Sequence, residues 1–301
     1  MIESDYHQPV LLSESVDFLI TDPNGVYIDV TYGGGGHSQE VLNRLGDDAL
    51  LIGVDQDIDA QSNIINDERL LFVQSNFAYI NHFLEYYDLE GVDGVLADLG
   101  VSSHHFDEAE RGFSYRYDAL LDMRMNQSAQ RTAADIINAY SVQELQDVFS
   151  SYGEVRNSKT LASAIVETRR NAKVEMVADL ERIIDRVYRG ERNRYSAQVY
   201  QALRIEVNDE LEVLKEMLLS AMHSLKSGGR MVVISYHSLE DKIVKQLFRD
   251  NNFEKKKLVD DFGRSQNVLE RITKKPMIPS ESEIAKNSRA ASAKMRVAQK
   301  I

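Results

Sequence analysis

The residues best equipped for chemistry form the run Asp29-Val30-Thr31-Tyr32-Gly33-Gly34-Gly35-Gly36-His37. Glycines that follow a strand let the chain turn tightly and bring its backbone close to a ligand. A plain strand-to-helix turn would use the same residues, so the run needs support from elsewhere. Two carboxylates supply it: Asp55, 22 residues beyond Gly33, and Asp98. Each closes a short apolar run that reads as a strand. A carboxylate at the first position can accept hydrogen bonds from ribose hydroxyls, and one at the second borders the crevice where open α/β sheets bind ligands. Either could instead cap the turn that follows it.

The same run argues against a pyrophosphate ligand. The pattern Gly-x-Gly-x-x-Gly counted from Gly33 needs glycine where Ser38 stands, and counted from Gly34 it needs glycine where Gln39 stands. Asp29, just before the turn, would oppose phosphate and suits a cationic ligand with an amino-acid end. S-adenosylmethionine fits, with its ammonium and sulfonium and no phosphate. His104-His105 could suggest a metal, but adjacent side chains point apart and no third ligand accompanies them, so no metal is expected.

These residues need elements to position them. Val26–Val30, Leu50–Asp55, Leu70–Val73 and Val92–Leu99 read as strands, and His37–Leu45 as a helix. Continuous apolar runs between helical patterns indicate parallel strands covered on both faces. The alternation stops after Leu99 and resumes at Met231–Ile234, after Gly228-Gly229. Between them, Met176, Val177, Leu180, Ile183, Ile184 and Val187 fall at helical spacing, as do Leu211, Leu214, Leu218, Met222 and Leu225. The expected fold is α/β: a doubly wound, Rossmann-like sheet of the class I methyltransferase type, with an inserted helical domain. The sheet domain would comprise residues 1–106 and 206–301, and the insertion residues 107–205.

Composition narrows the class further. The chain has 301 residues, no cysteine and a net charge of −13. Disulfides, thiolate metal sites and cysteine nucleophiles are excluded. No apolar stretch is long enough to span a bilayer, and the first twenty residues carry Glu3, Asp5, Glu14 and Asp17, unlike a signal peptide. A cytoplasmic location is expected. The acidic total hides an asymmetry: residues 242–301 hold 15 Lys/Arg against 7 Asp/Glu. A basic end can engage phosphates on an acidic body, although a solvated terminus has the same composition.

At the level of strings, the chain resembles the bacterial ribosomal RNA small-subunit methyltransferase H family, also called MraW. The resemblance rests on His7–Leu12, Asp29–Ser38, Asp93–Ser103, Ala109–Ser114, Leu121–Met125, Tyr152–Glu154, Arg204–Asn208, Ile234–Asp241, Asn287–Ala290 and Lys294–Ala298. It implies N4-methylation of a cytidine in the decoding centre of 16S ribosomal RNA, with S-adenosyl-L-methionine as cofactor and the small ribosomal subunit as partner. It carries cofactor contacts onto Gly35, Gly36, His37, Asp55, Phe77, Asp98 and His105. His105 stands where relatives often have glutamine, and both types can hydrogen-bond. Without the resemblance Phe77 would read as a core residue. Ala119-Leu120 stands where relatives often have Gly-Pro, and Lys242 where they often have arginine.

No catalytic base is assigned. The aminomethyltransferase pattern of Asp or Asn before Pro-Pro and an aromatic is replaced here by Asp98-Leu99-Gly100-Val101. Methylation of DNA or another amine, and a non-catalytic RNA-binding assembly role, would share much of the sheet. The oligomeric state stays open, a homodimer among the options. Two RNA contacts are expected: the basic C-terminal segment from residue 286, and the start of the insertion, where Arg111, Phe113, Tyr115, Arg116, Tyr117 and Arg124 cluster. The competing reading packs those aromatics in the insertion's own core and pairs its arginines with Asp118 and Asp122.

Overall fold

The computed structural model of the protein describes residues 9–100, 111–254 and 267–301. The chain divides into two compact units, Met1–Gly100 with Leu211–Ile301, and Val101–Glu210.

The first unit is built on a seven-stranded sheet of order β3-β2-β1-β4-β5-β7-β6. The strands are β1 (Val26–Asp29), β2 (Leu50–Asp55), β3 (Leu70–Gln74), β4 (Val92–Asp98), β5 (Leu225–Ser235), β6 (Leu269–Arg271) and β7 (Lys294–Lys300). β1 to β5 run parallel, and β7 lies antiparallel between β5 and β6. The order reverses at β1, flanked by β2 and β4, which sets the crevice at the carboxyl ends of these strands. The α/β class expected from the sequence is the one observed.

Alternation along the strands fills two cores. Ile28, Ile52, Val54, Val95, Ala97, Met231 and Val233 face one side. There they meet Leu214, Met217 and Leu218 of α9 (Glu210–Ser224) and Val244, Leu247 and Phe248 of α10 (Ser238–Asp250). Tyr27, Leu51, Leu96, Val232 and Ile234 face the other, against Val16 and Leu19 of α1 (Leu12–Leu19) and Val41 and Leu42 of α2 (Gly36–Arg44). Period-two alternation into two apolar layers is what makes each central strand read as a continuous apolar run.

Two sequence expectations change here. Leu225 opens β5 instead of closing the helical stripe of α9, so the strand begins before Gly228-Gly229. Gly228, at φ 84, takes a left-handed backbone that glycine adopts without strain. The basic C-terminal segment is no free tail: Met295, Val297 and Ala298 are buried in β7. Its Arg296 is buried too, paired with Asp241 through Nε at 2.7 Å and Nη2 at 3.1 Å. Truncation from residue 286 would therefore remove an interior strand along with any RNA contact.

The second unit is helical: α4 (Ala133–Ala139), α5 (Val142–Ser151), α6 (Ser158–Arg169), α7 (Val177–Val187) and α8 (Arg192–Asn208). It has its own core, including Leu145, Phe149, Leu161, Ile165, Leu180, Ile184, Val199 and Leu203. Reciprocal capping boxes at Thr132/Asp135 and Ser141/Glu144 start α4 and α5.

Candidate functional site

The carboxyl end of β1 is tied to both neighbouring strands before it turns. Val30 N–H donates to Leu96 O of β4, and Tyr32 N–H to Val54 O of β2. Gly33 (φ 49) and Gly35 (φ 73) are left-handed, a backbone that other residues would adopt under strain. A Cβ on Gly33 would meet nothing nearer than Thr31 O at 3.8 Å, so the surface above that turn is open. A Cβ on Gly36 would lie 2.4 Å from Pro9 Cγ, so the glycine there serves packing.

Asp55 sits at the end of β2 and is oriented by backbone. Its Oδ2 accepts Gly33 N–H at 2.8 Å and its Oδ1 accepts Asp57 N–H at 2.8 Å. The capping role and the acceptor role thus coexist, since a carboxylate offers about four lone-pair positions. Phe77 opens a short 3-10 turn just past β3, which pairs with β2 through Gln74 and Asp55. It is partly buried against the sheet core.

Asp98 sits at the end of β4 and is oriented by side chains. Its Oδ1 accepts the Tyr236 hydroxyl at 2.8 Å, and its Oδ2 lies 3.6 Å from His37 Nδ1. Its backbone N–H donates to Thr31 Oγ1 at 2.7 Å, joining β4 to the glycine turn. Burial drives its carboxyl up to about 6, against the lowering influence of a charged His37 and of Tyr236, while Asp29 and Glu240 push it further up.

Asp29 is built into the turn itself. Its side chain is buried, with Oδ2 accepting the Ser38 hydroxyl at 2.7 Å and Oδ1 accepting Thr31 N–H at 3.1 Å. It supports the turn from beneath. Ser38, the position where a pyrophosphate fingerprint would need glycine, is the residue that satisfies it.

His37 is buried at the start of α2, its Nε2 3.2 Å from the Val10 carbonyl. That carbonyl is fixed by a strained turn: Leu11 has φ 52, and its N–H donates to Glu283 Oε1 at 2.7 Å. Glu240 in turn holds the start of α10, its Oε2 accepting the backbone N–H of Tyr236 at 2.9 Å.

The turn, β2 and β4 thus bring Gly35, Gly36, His37, Asp55 and Asp98 to one end of the sheet, with Phe77 at the end of β3. His105 lies outside the described residues. Sequence reasoning missed Thr31, Ser38 and Tyr236 as parts of the site. Tyr236 carried one usable signal, an aromatic directly after a strand that ends beside Asp98.

The set fits S-adenosylmethionine. Three carboxylates gather around a turn whose contacts to them come from neutral amides and hydroxyls and from one histidine, a setting for a cation and not for a phosphate.

The start of the second unit divides between the two readings. Arg111 donates through Nη2 to Arg124 O at 2.9 Å and Met125 O at 3.0 Å, and it lies over the Phe113 ring. Arg124 pairs with Asp122 at 2.7 Å. Phe113 is buried, and Tyr115 stacks edge-on with Tyr200. Only Arg116 and Tyr117 of that group are exposed.

Among known proteins, a family model described as the MraW methylase family matches residues 4–301. A protein of Bacteroides fragilis (strain YCH46) named ribosomal RNA small subunit methyltransferase H is 53% identical over 299 residues, 99% of this chain and 98% of that one. Proteins of the same name from Christiangramia forsetii and Flavobacterium johnsoniae are 49% and 47% identical, covering 100% and 99% of this chain and 100% and 98% of theirs. Among the described residues no helix is long and apolar enough to cross a membrane.

Proposed function

Since this chain belongs to the MraW methylase family, with S-adenosylmethionine as its methyl donor, we propose that it methylates the exocyclic N4 amine of a cytidine in the decoding centre of 16S ribosomal RNA. The observation that carries this reading is full-length identity of 53% to a protein named ribosomal RNA small subunit methyltransferase H. The substrate is the RNA held in the small ribosomal subunit, met in the cytoplasm.

The donor supplies an electrophilic methyl group on its sulfonium. The chain's task is to hold donor and amine in line, because the amine's lone pair is delocalised into the cytosine ring. Alignment of this kind is worth up to roughly 7–11 kcal/mol of barrier in favourable systems. We assign the donor contacts to Gly35, Gly36, His37, Asp55, Phe77, Asp98 and His105. Asp55 faces the ribose hydroxyls, and the open surface above Gly33 admits close approach of the ligand to backbone. Asp98 and the buried Asp29 set the negative potential that a cation requires.

The insertion, residues 107–205, is assigned to substrate recognition through Arg116 and Tyr117, one cation for phosphate and one ring for an unpaired base. The exposed cations Arg271, Lys274, Lys275, Lys286 and Arg289 are assigned to RNA backbone, in place of a free basic tail. Incubation of the protein with methyl-labelled cofactor and assembled small subunits, followed by nucleoside analysis, tests the reading. Label should appear in N4-methylcytidine. Label confined to DNA, or to another base, would overturn it.

A further inference from the structure

The Asp98 carboxylate is gripped from two sides by residues that belong to different elements, His37 at the start of α2 and Tyr236 just after β5. The His37 ring is asymmetric in its surroundings. Its Nε2 faces the Val10 carbonyl at 3.2 Å, and a carbonyl can only accept, so Nε2 carries a hydrogen. In a neutral ring Nδ1 then presents a lone pair, and it presents it to a carboxylate oxygen 3.6 Å away. Two lone pairs facing each other inside a protein repel. A proton on the carboxyl, directed at Nδ1, removes the conflict.

We propose, resting on the assignment of Asp98 to the methyl-donor site, that Tyr236 is a positioning residue acting through Asp98, and that His37, besides its own donor contact, sets the proton affinity of that carboxyl. One proton held between His37 and Asp98 leaves to solvent when the cationic donor binds. The proton balance is simple. The protonated pair is neutral, and loss of the proton leaves one negative charge, which the donor's positive charge replaces.

The groups around the pair agree with this. Asp29 from β1 and Glu240 from α10 are acidic neighbours that favour a proton on Asp98, as burial does. Tyr236 opposes it by donating to the ionised carboxylate. Glu283 of α11 (Glu281–Lys286) lies beyond Tyr236, holding the Leu11 N–H. Tyr236 is itself fixed, its backbone N–H bonded to Glu240. Its hydroxyl therefore reaches Asp98 from a set direction.

The test is calorimetric titration of the full-length protein with S-adenosylmethionine, without RNA, in buffers of different ionisation enthalpy. Work between pH 5.5 and 7 keeps the donor's own amine protonated, because an α-amine titrates near 7.7–8.0. The expected result is release of up to roughly half a proton per donor at pH 6, fading as the pH rises. Asp98→Asn should abolish the release. Tyr236→Phe should move it to higher pH and weaken donor binding by about tenfold, the loss of one hydrogen bond. His37→Asn, which takes away the facing lone pair, should move it the other way, to lower pH. A residue that merely filled space would leave the pH of release unmoved. Donor binding with no release in the unaltered protein, release that persists in Asp98→Asn, or a pH of release unchanged in Tyr236→Phe and His37→Asn would overturn the inference while leaving the donor site standing. Full affinity in Asp98→Asn, together with full affinity in Asp55→Ala, would overturn the site assignment itself.

Discussion

Asp55 and Asp98 close neighbouring strands on either side of β1, yet they are held by opposite means. Backbone amides bind both oxygens of Asp55, through Gly33 and Asp57. Side chains surround Asp98: the Tyr236 hydroxyl donates to it, and the His37 ring faces it at 3.6 Å. An amide in a turn cannot change its charge or swing away, so Asp55 is a fixed acceptor. A histidine and a phenol can be replaced one at a time, and burial raises the Asp98 carboxyl itself to about 6, so Asp98 is an adjustable one. The lesson is that the same residue type at the same topological place can serve as a rigid hook or as a responsive charge, depending on what donates to it.

The largest effect of breaking this contrast should be seen in stability. The Asp98 carboxyl is raised from 3.8 to about 6 in the folded protein. The unfolded chain therefore ionises first as the pH rises. Folding is favoured by the protonated group below pH 3.8, and that contribution is lost progressively up to about pH 6. Asp98→Asn removes the penalty, so its gain over the unaltered protein should be absent at about pH 4 and complete above about pH 6. The ceiling is about 3 kcal/mol, from about 1.36 kcal/mol per pH unit. Solvent reaches 21% of the side chain, which reduces it. Thermal melts at pH 4 and pH 7.5 decide this; an equal gain at both would show that burial of the charge is not the cause.

Asp55→Ala sharpens the other side. It should cost donor affinity about 1.5–3 kcal/mol, a hydrogen bond to a charged group. Its calorimetric binding should show the same loss at pH 6 and pH 7, because amides do not titrate. A loss that changed with pH would erase the distinction between the two carboxylates.

A parallel contrast exists in the second unit between Arg111, engaged with two carbonyls, and the exposed Arg116. Replacing Arg116 and Tyr117 with alanine should reduce methyl transfer to small subunits by about tenfold, on the scale of one stacked base. Cofactor affinity and folding should be spared. Arg111→Ala should instead lower the melting temperature. The reverse pattern, with Arg111→Ala folded and slow and the double variant normal, would exchange their roles.

The smallest effect concerns the exposed cations near the C-terminus. Lys274→Ala with Lys275→Ala should flatten the dependence of RNA affinity on salt, by up to about 0.9 in logarithmic slope for each phosphate left without its lysine. An unchanged slope would assign these lysines to solvent.

Much of this arrangement is readable from the residues alone. β1, β2, β4 and the later half of β5 are buried on both faces and announce themselves as apolar runs, as does the half-buried edge strand β3. The glycine turn, Asp55 and Asp98 follow from their places at strand ends. β7 escapes such a reading because its run, Lys294 to Lys300, carries Arg296, whose charge is neutralised by Asp241 55 residues away. Tyr236 escapes for a similar reason, its partner Asp98 lying 138 residues off. Ser38 and Thr31 escape because a hydroxyl near a turn is too common to read, although Ser38 is the residue that excludes the pyrophosphate pattern. Arg111 and Arg124 are overread as RNA contacts: spacing shows that cations cluster, but not that carbonyls and Asp122 already hold them.

The central claim is methyl transfer to one nitrogen of one base. Small subunits lacking the modification, incubated with purified protein and S-adenosylmethionine, can be digested and their 16S ribosomal RNA fragments mapped by mass spectrometry with synthetic nucleoside standards. The account predicts a single methylated cytidine in the decoding centre, with the methyl on N4. A methyl on C5, on a ribose, or spread over many bases would contradict it.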